Sequence, residues 1–234
     1  MGSLSVLYNI PALQAEDQLG LTQTALNSTL TALSSGQRIN TGADDPAGLA
    51  IANGLEANIT ALTQSVQNAT DGVGELQVAD GALSQITSLL NSAISLATES
   101  SSGTVSDTQR TALQAEFLSV QNEIDAIGSN TTYNGQAIFQ GTTATVIYMS
   151  DSSAAGTNLV TVSFVTVSAS SLGLTVANNT LSTASDAQAA LLNINSAIQT
   201  VAGLRGDLGA ESNQLSAAVN VMNVQITNLT NAEN

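Results

Sequence analysis

The sequence predicts a mainly α fold: a long antiparallel, coiled-coil-like helical rod that carries a small β-hairpin region. Three observations predict it. Apolar residues recur at alternating spacings of four and three over residues 55–97, and a comparable stripe runs over residues 194–229. Between the two stripes lie a pair of short runs rich in Val, Ile, Thr and aromatics, which is strand chemistry.

In chain order, Leu19, Leu26, Leu30 and Leu33 share one stripe of a first helix that ends near Ser34-Ser35-Gly36. Asp44 and Asp45 precede Pro46, an arrangement suited to an N-cap with proline in the first turn, so a second helix is expected over about 46–100. With Leu55 as a d position, the d series reads Leu55, Leu62, Ala69, Leu76, Leu83, Leu90, Ala97 and the a series Ile59, Val66, Val73, Asp80, Thr87, Ile94. Only Asp80 and Thr87 break the apolar pattern. Gly103 and its serines end that helix, and Leu113, Phe117, Val120, Ile124 and Ile127 predict a third over about 106–128. Gly135 and Gly141 flank a change of period. Runs at 143–149 and 159–167, joined by a Ser/Ala/Gly-rich segment, read as a β-hairpin over about 143–167. The helical period returns near Asp186 for a fourth helix over about 186–231, with the stripe Ile194, Ile198, Val201, Arg205, Leu208, Ser212, Leu215, Val219, Met222, Ile226, Leu229.

The second and fourth helices can pair along about 45 residues, or roughly 65 Å at the α-helical rise. Setting Glu99 opposite Asp186 gives an antiparallel register in which paired residue numbers sum to about 285. Asp80 then falls opposite Arg205, so an ion pair is expected in the seam, costing roughly 3 to 5 kcal/mol to break from one side if well buried. Residues 1–45 are left with no helical partner in the chain, and a separate N-terminal segment is expected there, with the core domain over 46–234. Beside the leucine stripe, Val6, Leu7, Ile10 and Leu13 also need burial.

Composition restricts the chemistry. The 234 residues contain no His, Cys or Trp, and Arg38, Arg110 and Arg205 are the only cations. A Ser-His-Asp triad, a thiol nucleophile, a Schiff-base lysine, a His/Cys zinc site and a P-loop lysine are therefore impossible. The net charge of −15 opposes binding to nucleic acid or anionic lipid. Charged residues are 9% of the chain against roughly 25% in ordinary soluble domains, so the surface is solvated by Ser, Thr, Asn and Gln. No run reaches membrane-spanning length, and no cleavable signal is visible near the start. Gly72-Val73-Gly74 sits inside the heptads and reads as helix, not phosphate loop. The glycosylation patterns at Asn58, Asn68 and Asn228 read as chance matches in an Asn/Thr-rich chain.

The run Ser34-Ser35-Gly36-Gln37-Arg38-Ile39-Asn40, continuing through Asp44-Asp45-Pro46-Ala47-Gly48-Leu49-Ala50-Ile51-Ala52, resembles the signature of bacterial flagellin. So do Asn68-Ala69-Thr70-Asp71-Gly72, Asp80-Gly81-Ala82-Leu83, Glu123-Ile124-Asp125, Tyr133-Asn134-Gly135 and Leu204-Arg205-Gly206-Asp207-Leu208-Gly209-Ala210, in family order. The resemblance covers essentially the whole chain. It implies a flagellin core with an inner-tube domain made from the chain ends, self-assembly into a helical filament for motility, and secretion by the flagellar type III route. The implied partners are an export chaperone and filament cap or junction proteins; no cofactor and no metal is implied.

Two departures from the family pattern are expected to matter. The variable outer domains are missing, since about 12 residues separate Leu174 from Asp186, and the family's C-terminal inner helix is absent after Asn234. A thin, smooth filament follows from the first, and poor unaided assembly from the second. At the spoke position of the signature, Arg38, Asn40, Asp44 and Asp45 are candidate subunit contacts, with an Arg38 pairing to Asp44 or Asp45 between copies. The resemblance also places the face recognised by the vertebrate flagellin receptor at Leu90, Ser92, Ile94, Ser95 and Leu96. An arginine stands in stimulatory flagellins where this chain has Ser92, so weak recognition is expected. A hook-filament junction protein of the same superfamily is the alternative reading, and an enzyme the least supported.

Overall fold

The computed structural model describes residues 9–141, 144–150, 159–175 and 179–233. Val6, Leu7, Thr143 and the hairpin connection 151–158 lie outside the described residues. The elements are α1 (Ile10–Ser35), α2 (Pro46–Ser101), α3 (Asp107–Asn130), β1 (Thr132–Tyr133), β2 (Gln136–Ala137), β3 (Ala144–Tyr148), β4 (Leu159–Ser163) and α4 (Ala184–Glu233). The fold is mainly α with two small antiparallel strand pairs, β1 with β2 and β3 with β4. Two compact units are present, Met1–Thr60 with Gln225–Asn234, and Ala61–Val224. The start of α2 and the end of α4 thus group with the N-terminal unit.

In the first unit, Asn9 caps α1 by accepting from the Ala12 amide, and Pro11 occupies its first turn. Gly36 ends the helix in a left-handed conformation, φ 72°, with its N–H donating to the Ala32 carbonyl. No residue of α1 is buried. Its large apolar side chains, Ile10, Leu13, Leu19, Leu21, Leu26, Leu30 and Leu33, are all exposed.

In the second unit, α2 and α4 run antiparallel, with Asp80 against Arg205 and Gly72 against Leu215. The buried line of α2 differs from the expected a/d seam. Buried are Leu62, Ser65, Ala69, Gly72, Leu76, Ala79, Leu83, Ile86, Leu90, Ala93, Ala97 and Ser100, the d series from Leu62 onward together with the residue three after each of these. The a residues Ile59, Val66, Val73, Thr87 and Ile94 are only half-buried. The reason is steric. Small residues at the unexpected positions admit other backbone closely: Ser65 Oγ donates to the Ser150 carbonyl and accepts from its amide, both at 3.1 Å, and Ser100 Oγ donates to the Leu181 carbonyl at 2.7 Å. Gly72 receives the Ile147 side chain where any Cβ would collide.

Helix α3 opens with a capping box, Ser106 with Gln109. Arg110, almost fully buried, spans the α2–α3 turn by donating from Nη2 to the Ser102 and Val105 carbonyls. The buried line of α3 is Arg110, Leu113, Phe117, Gln121, Ile124 and Gly128, so Gln121 and Gly128 replace the expected Val120 and Ile127. Gln121 donates to the Leu174 carbonyl at 2.9 Å, and Gly128 makes room for the Val167 carbonyl. The stretch 164–175 covers this end of the core with Phe164, Val167, Leu172 and Leu174. In β3–β4, Ile147, Val160 and Val162 face inward, and Val146, Tyr148 and Leu159 face out.

Candidate subunit-contact sites

The candidate spoke lies in the loop between α1 and α2, and its geometry is set locally. Asp44 Oδ2 accepts from the Thr41 hydroxyl at 2.9 Å, the Thr41 amide at 3.0 Å and the Asn40 amide at 3.3 Å. These bonds, the Thr41 hydroxyl foremost, hold the Asp44 carboxyl below its usual range. Asn40 donates from Nδ2 to the Gln37 carbonyl, closing the turn. Asp45 is the N-cap of α2, its Oδ1 accepting from the Ala47 amide at 3.0 Å, and Pro46 follows in the first turn. Both carboxylates are therefore engaged in shaping the loop.

Arg38 is exposed and has no ion-pair partner among the described residues. It borders a cleft of about 410 Å³ with Ile39, Asp45, Gly48, Leu49, Glu56 and Glu233 around it. The structure does not bring Arg38 to Asp44 or Asp45 within one copy.

Asp80 and Arg205 do meet. Arg205 Nε donates to Asp80 Oδ1 at 2.6 Å and Nη2 to Oδ2 at 3.2 Å, a two-pronged contact across α2 and α4. The hydrogen bond and then the charge of Asp80 hold the Arg205 guanidinium above its ordinary pKa. Their side chains are 37% and 44% exposed for Arg205 and Asp80, so the pair sits on the rim of the seam and not in its core. The expected 3 to 5 kcal/mol for a buried pair does not apply. Solvent screening brings such a contact to about 1 kcal/mol or less.

The receptor-equivalent face is partly interior. Leu90 is fully buried, so it belongs to the α2 seam and not to a recognition surface. Ser92 and Ser95 are exposed, with hydroxyls turned back onto the Ser88 and Asn91 carbonyls, while Ile94 and Leu96 are half-buried.

A model of the bacterial flagellin N-terminal helical region matches residues 6–144. The chain belongs to the bacterial flagellin family. A flagellin of Halalkalibacterium halodurans is 31% identical over 226 residues, covering 97% of this chain and 82% of the relative. The B-type flagellin of Pseudomonas aeruginosa is 37% identical over 171 residues, 73% of this chain but 35% of the relative, so the chain spans about a third of that protein. The crystal structure of Bacillus cereus flagellin matches with a TM-score of 0.56 at 26% identity, over 66% of this chain and 88% of that one.

Sequence reasoning missed two carboxylates at the base of the β3–β4 hairpin, Glu75 on α2 and Glu211 on α4. Thr145 Oγ1 donates to Glu75 Oε1 at 3.4 Å, and burial pushes the Glu75 carboxyl above its ordinary pKa. Glu211 is also raised, first by burial and further by the charge of Asp207, against a lowering bond from the Ser163 amide. Its Oε2 is buried and has no hydrogen-bond partner. The available signal was position, since each lies next to a seam residue, Glu75 before Leu76 and Glu211 before Ser212.

Proposed function

We propose that the chain is a structural subunit of the bacterial flagellar filament, polymerising with copies of itself into an extracellular helical tube that serves motility, with no catalytic activity. The observation that carries this is α1. Twenty-six residues of helix bury nothing and present a continuous leucine stripe to solvent. A single helix with an uncovered apolar face is marginal in water, because packing supplies most helical stability in proteins. Its cover in the assembled state comes from other copies. In this reading the Arg38 to Asp45 loop is a spoke whose one unpaired cation reaches a carboxylate of a second copy. Export through the flagellar type III apparatus with a chaperone, and contact with cap or junction proteins, complete the set of partners; nucleic acid and membrane are not among them.

Immunogold microscopy of the source bacterium with an antibody to this chain tests the reading. Label along the length of extracellular filaments is the expected result. Label confined to the hook end favours the junction-protein alternative, and no label on any filament overturns both.

Weak recognition by the vertebrate flagellin receptor belongs to the same proposal. Ser92 and Ser95 offer short hydroxyls already bonded to their own helix, with no guanidinium for charge-assisted contacts. A reporter-cell assay should show little stimulation. A response equal to that of an arginine-bearing flagellin counts against it.

A further inference from the structure

The two ends of the β3–β4 hairpin are held by different chemistry. At Ser150, beyond the Tyr148 end of β3, the reciprocal Ser65–Ser150 exchange is neutral and buried. At the opposite end two carboxylates grip adjacent rungs of the ladder, Glu75 at Thr145, which pairs with Val162, and Glu211 at Ser163, which pairs with Ala144. Glu211 stands against a cleft of about 370 Å³ walled by Leu83, Phe139, Phe164, Val165 and Leu208. Its Oε2 is sealed from water without a donor. An ionised carboxylate there has the Ser163 amide at one oxygen and no donor at Oε2 against an apolar wall, whereas a neutral carboxyl tolerates that wall.

We propose that Glu75 and Glu211 form a proton-operated latch on the hairpin base: protonated, they let the hairpin seat fully against α2 and α4, and ionised, they loosen that end while the Ser65–Ser150 end stays fixed. The inference concerns the single chain and goes beyond the filament reading.

The ionisable groups around these two can be named. Among the residues lining the Glu211 cleft, Asp207 on the same helix is the only other ionisable one, and its charge opposes ionisation of Glu211. The hairpin strands contribute a single ionisable side chain, Tyr148, at the far end. Around Glu75, α2 carries Asp71 and Asp80, the latter held by Arg205, and Tyr133 lies against neighbouring Gly74. The chain has no His and no Cys. With no imidazole or thiol present, a carboxyl displaced upward is the kind of side chain that changes charge between about pH 5 and 7. Both latch groups are displaced that way from the ordinary glutamate value of 4.5. A raised carboxyl retains its proton in the docked state, so docking is strongest below 4.5 and weakens as pH rises through the raised values. Each unit of difference between docked and free states changes the docking equilibrium about tenfold.

Hydrogen exchange on the monomer, corrected for the intrinsic pH dependence of exchange, tests this. Amides of Thr145, Val146, Thr161, Val162 and Ser163, at the base, are compared with those of Phe117 and Ile124 in α3 and with Ser150, from pH 4.5 to 8. Protection at the hairpin base should fall with rising pH relative to α3, with Ser150 unchanged. Glu75→Gln with Glu211→Gln should keep the acid-side protection at every pH, and Glu75→Leu with Glu211→Leu should do the same without any hydrogen-bonding head. A flat wild-type profile, protection that rises with pH, or the same fall in both double variants overturns the latch. Because the measurement needs no polymer, it stands or fails apart from the filament reading.

Discussion

Helix α1 and the Ala61–Val224 part of α2 carry similar stripes and meet opposite fates. On α2, twelve positions at strict three–four spacing are buried. On α1, leucines at 19, 26 and 33 recur every seven residues and none is buried. The intervening positions separate the two helices. On α2 they are Ser65, Gly72, Ala79, Ile86, Ala93 and Ser100, mostly small, and the hairpin and the Leu181 segment come down onto them. On α1 the matching positions are Thr22 and Thr29, whose hydroxyls donate to the Gln18 and Ala25 carbonyls of their own helix. Large-residue periodicity defines a face; the small residues between define whether the chain itself packs on that face.

The sharpest way to break this contrast is to truncate one leucine in each stripe. Leu83→Ala removes a buried side chain, and urea unfolding of the monomer should show a loss of about 2–5 kcal/mol. Leu26→Ala, at an exposed site, should change the same midpoint by no more than about 0.5 kcal/mol. Equal losses would mean that α1 is packed in solution and the contrast is false.

Gly72→Ala probes the small-residue half of the argument. A methyl there runs into the Ile147 terminus and comes near Leu215. Overpacking of this kind typically costs about 1–3 kcal/mol. Paired with Ile147→Val, which trims the colliding carbon, the loss should shrink. If Gly72→Ala is neutral alone, the small position is not what seats the hairpin.

Helix existence, order and antiparallel register were legible in the sequence because they rest on large apolar side chains and on caps, Asp45-Pro46 and Gly36 among them. The second half of the α2 seam was not, because Ser65, Gly72 and Ala79 bury little area and register weakly in a hydrophobic pattern. Gln121 and Gly128 escaped for a related reason: each is buried to serve a backbone carbonyl, of Leu174 and Val167, that lies far along the chain. At the sites, the Asp80–Arg205 contact followed from helix ends alone, but its exposure did not, since a register says which residues face each other and nothing of the water beside them. Glu75 and Glu211 showed in the sequence only as neighbours of seam residues until the hairpin was placed over them.

The rim contact offers a smaller test. A double-mutant cycle with Asp80→Ala and Arg205→Leu should give a coupling of about 1 kcal/mol or less, shrinking as salt is raised. A coupling several times larger and insensitive to salt would put the pair inside the seam, on the α2 side of the comparison.

The smallest effect lies in the loop that joins the two helices, where neither kind of stripe operates and hydrogen bonds to one carboxylate set the path. Asp44 gathers the Thr41 hydroxyl, the Thr41 amide and the Asn40 amide, and these favour its ionised form. Its pKa in the folded loop is therefore depressed below the ordinary 3.8. The sign follows from proton counting: at pH above 3.8 the loop has the full benefit of the bonds, and that benefit is lost as pH falls through the depressed value. NMR titration of the Thr41 amide from pH 6 to 2 should show a midpoint below 3.8, and Asp44→Asn should remove the transition. A midpoint at or above 3.8 would mean the loop is not held by Asp44, and the junction between bare helix and packed helix would need another organiser.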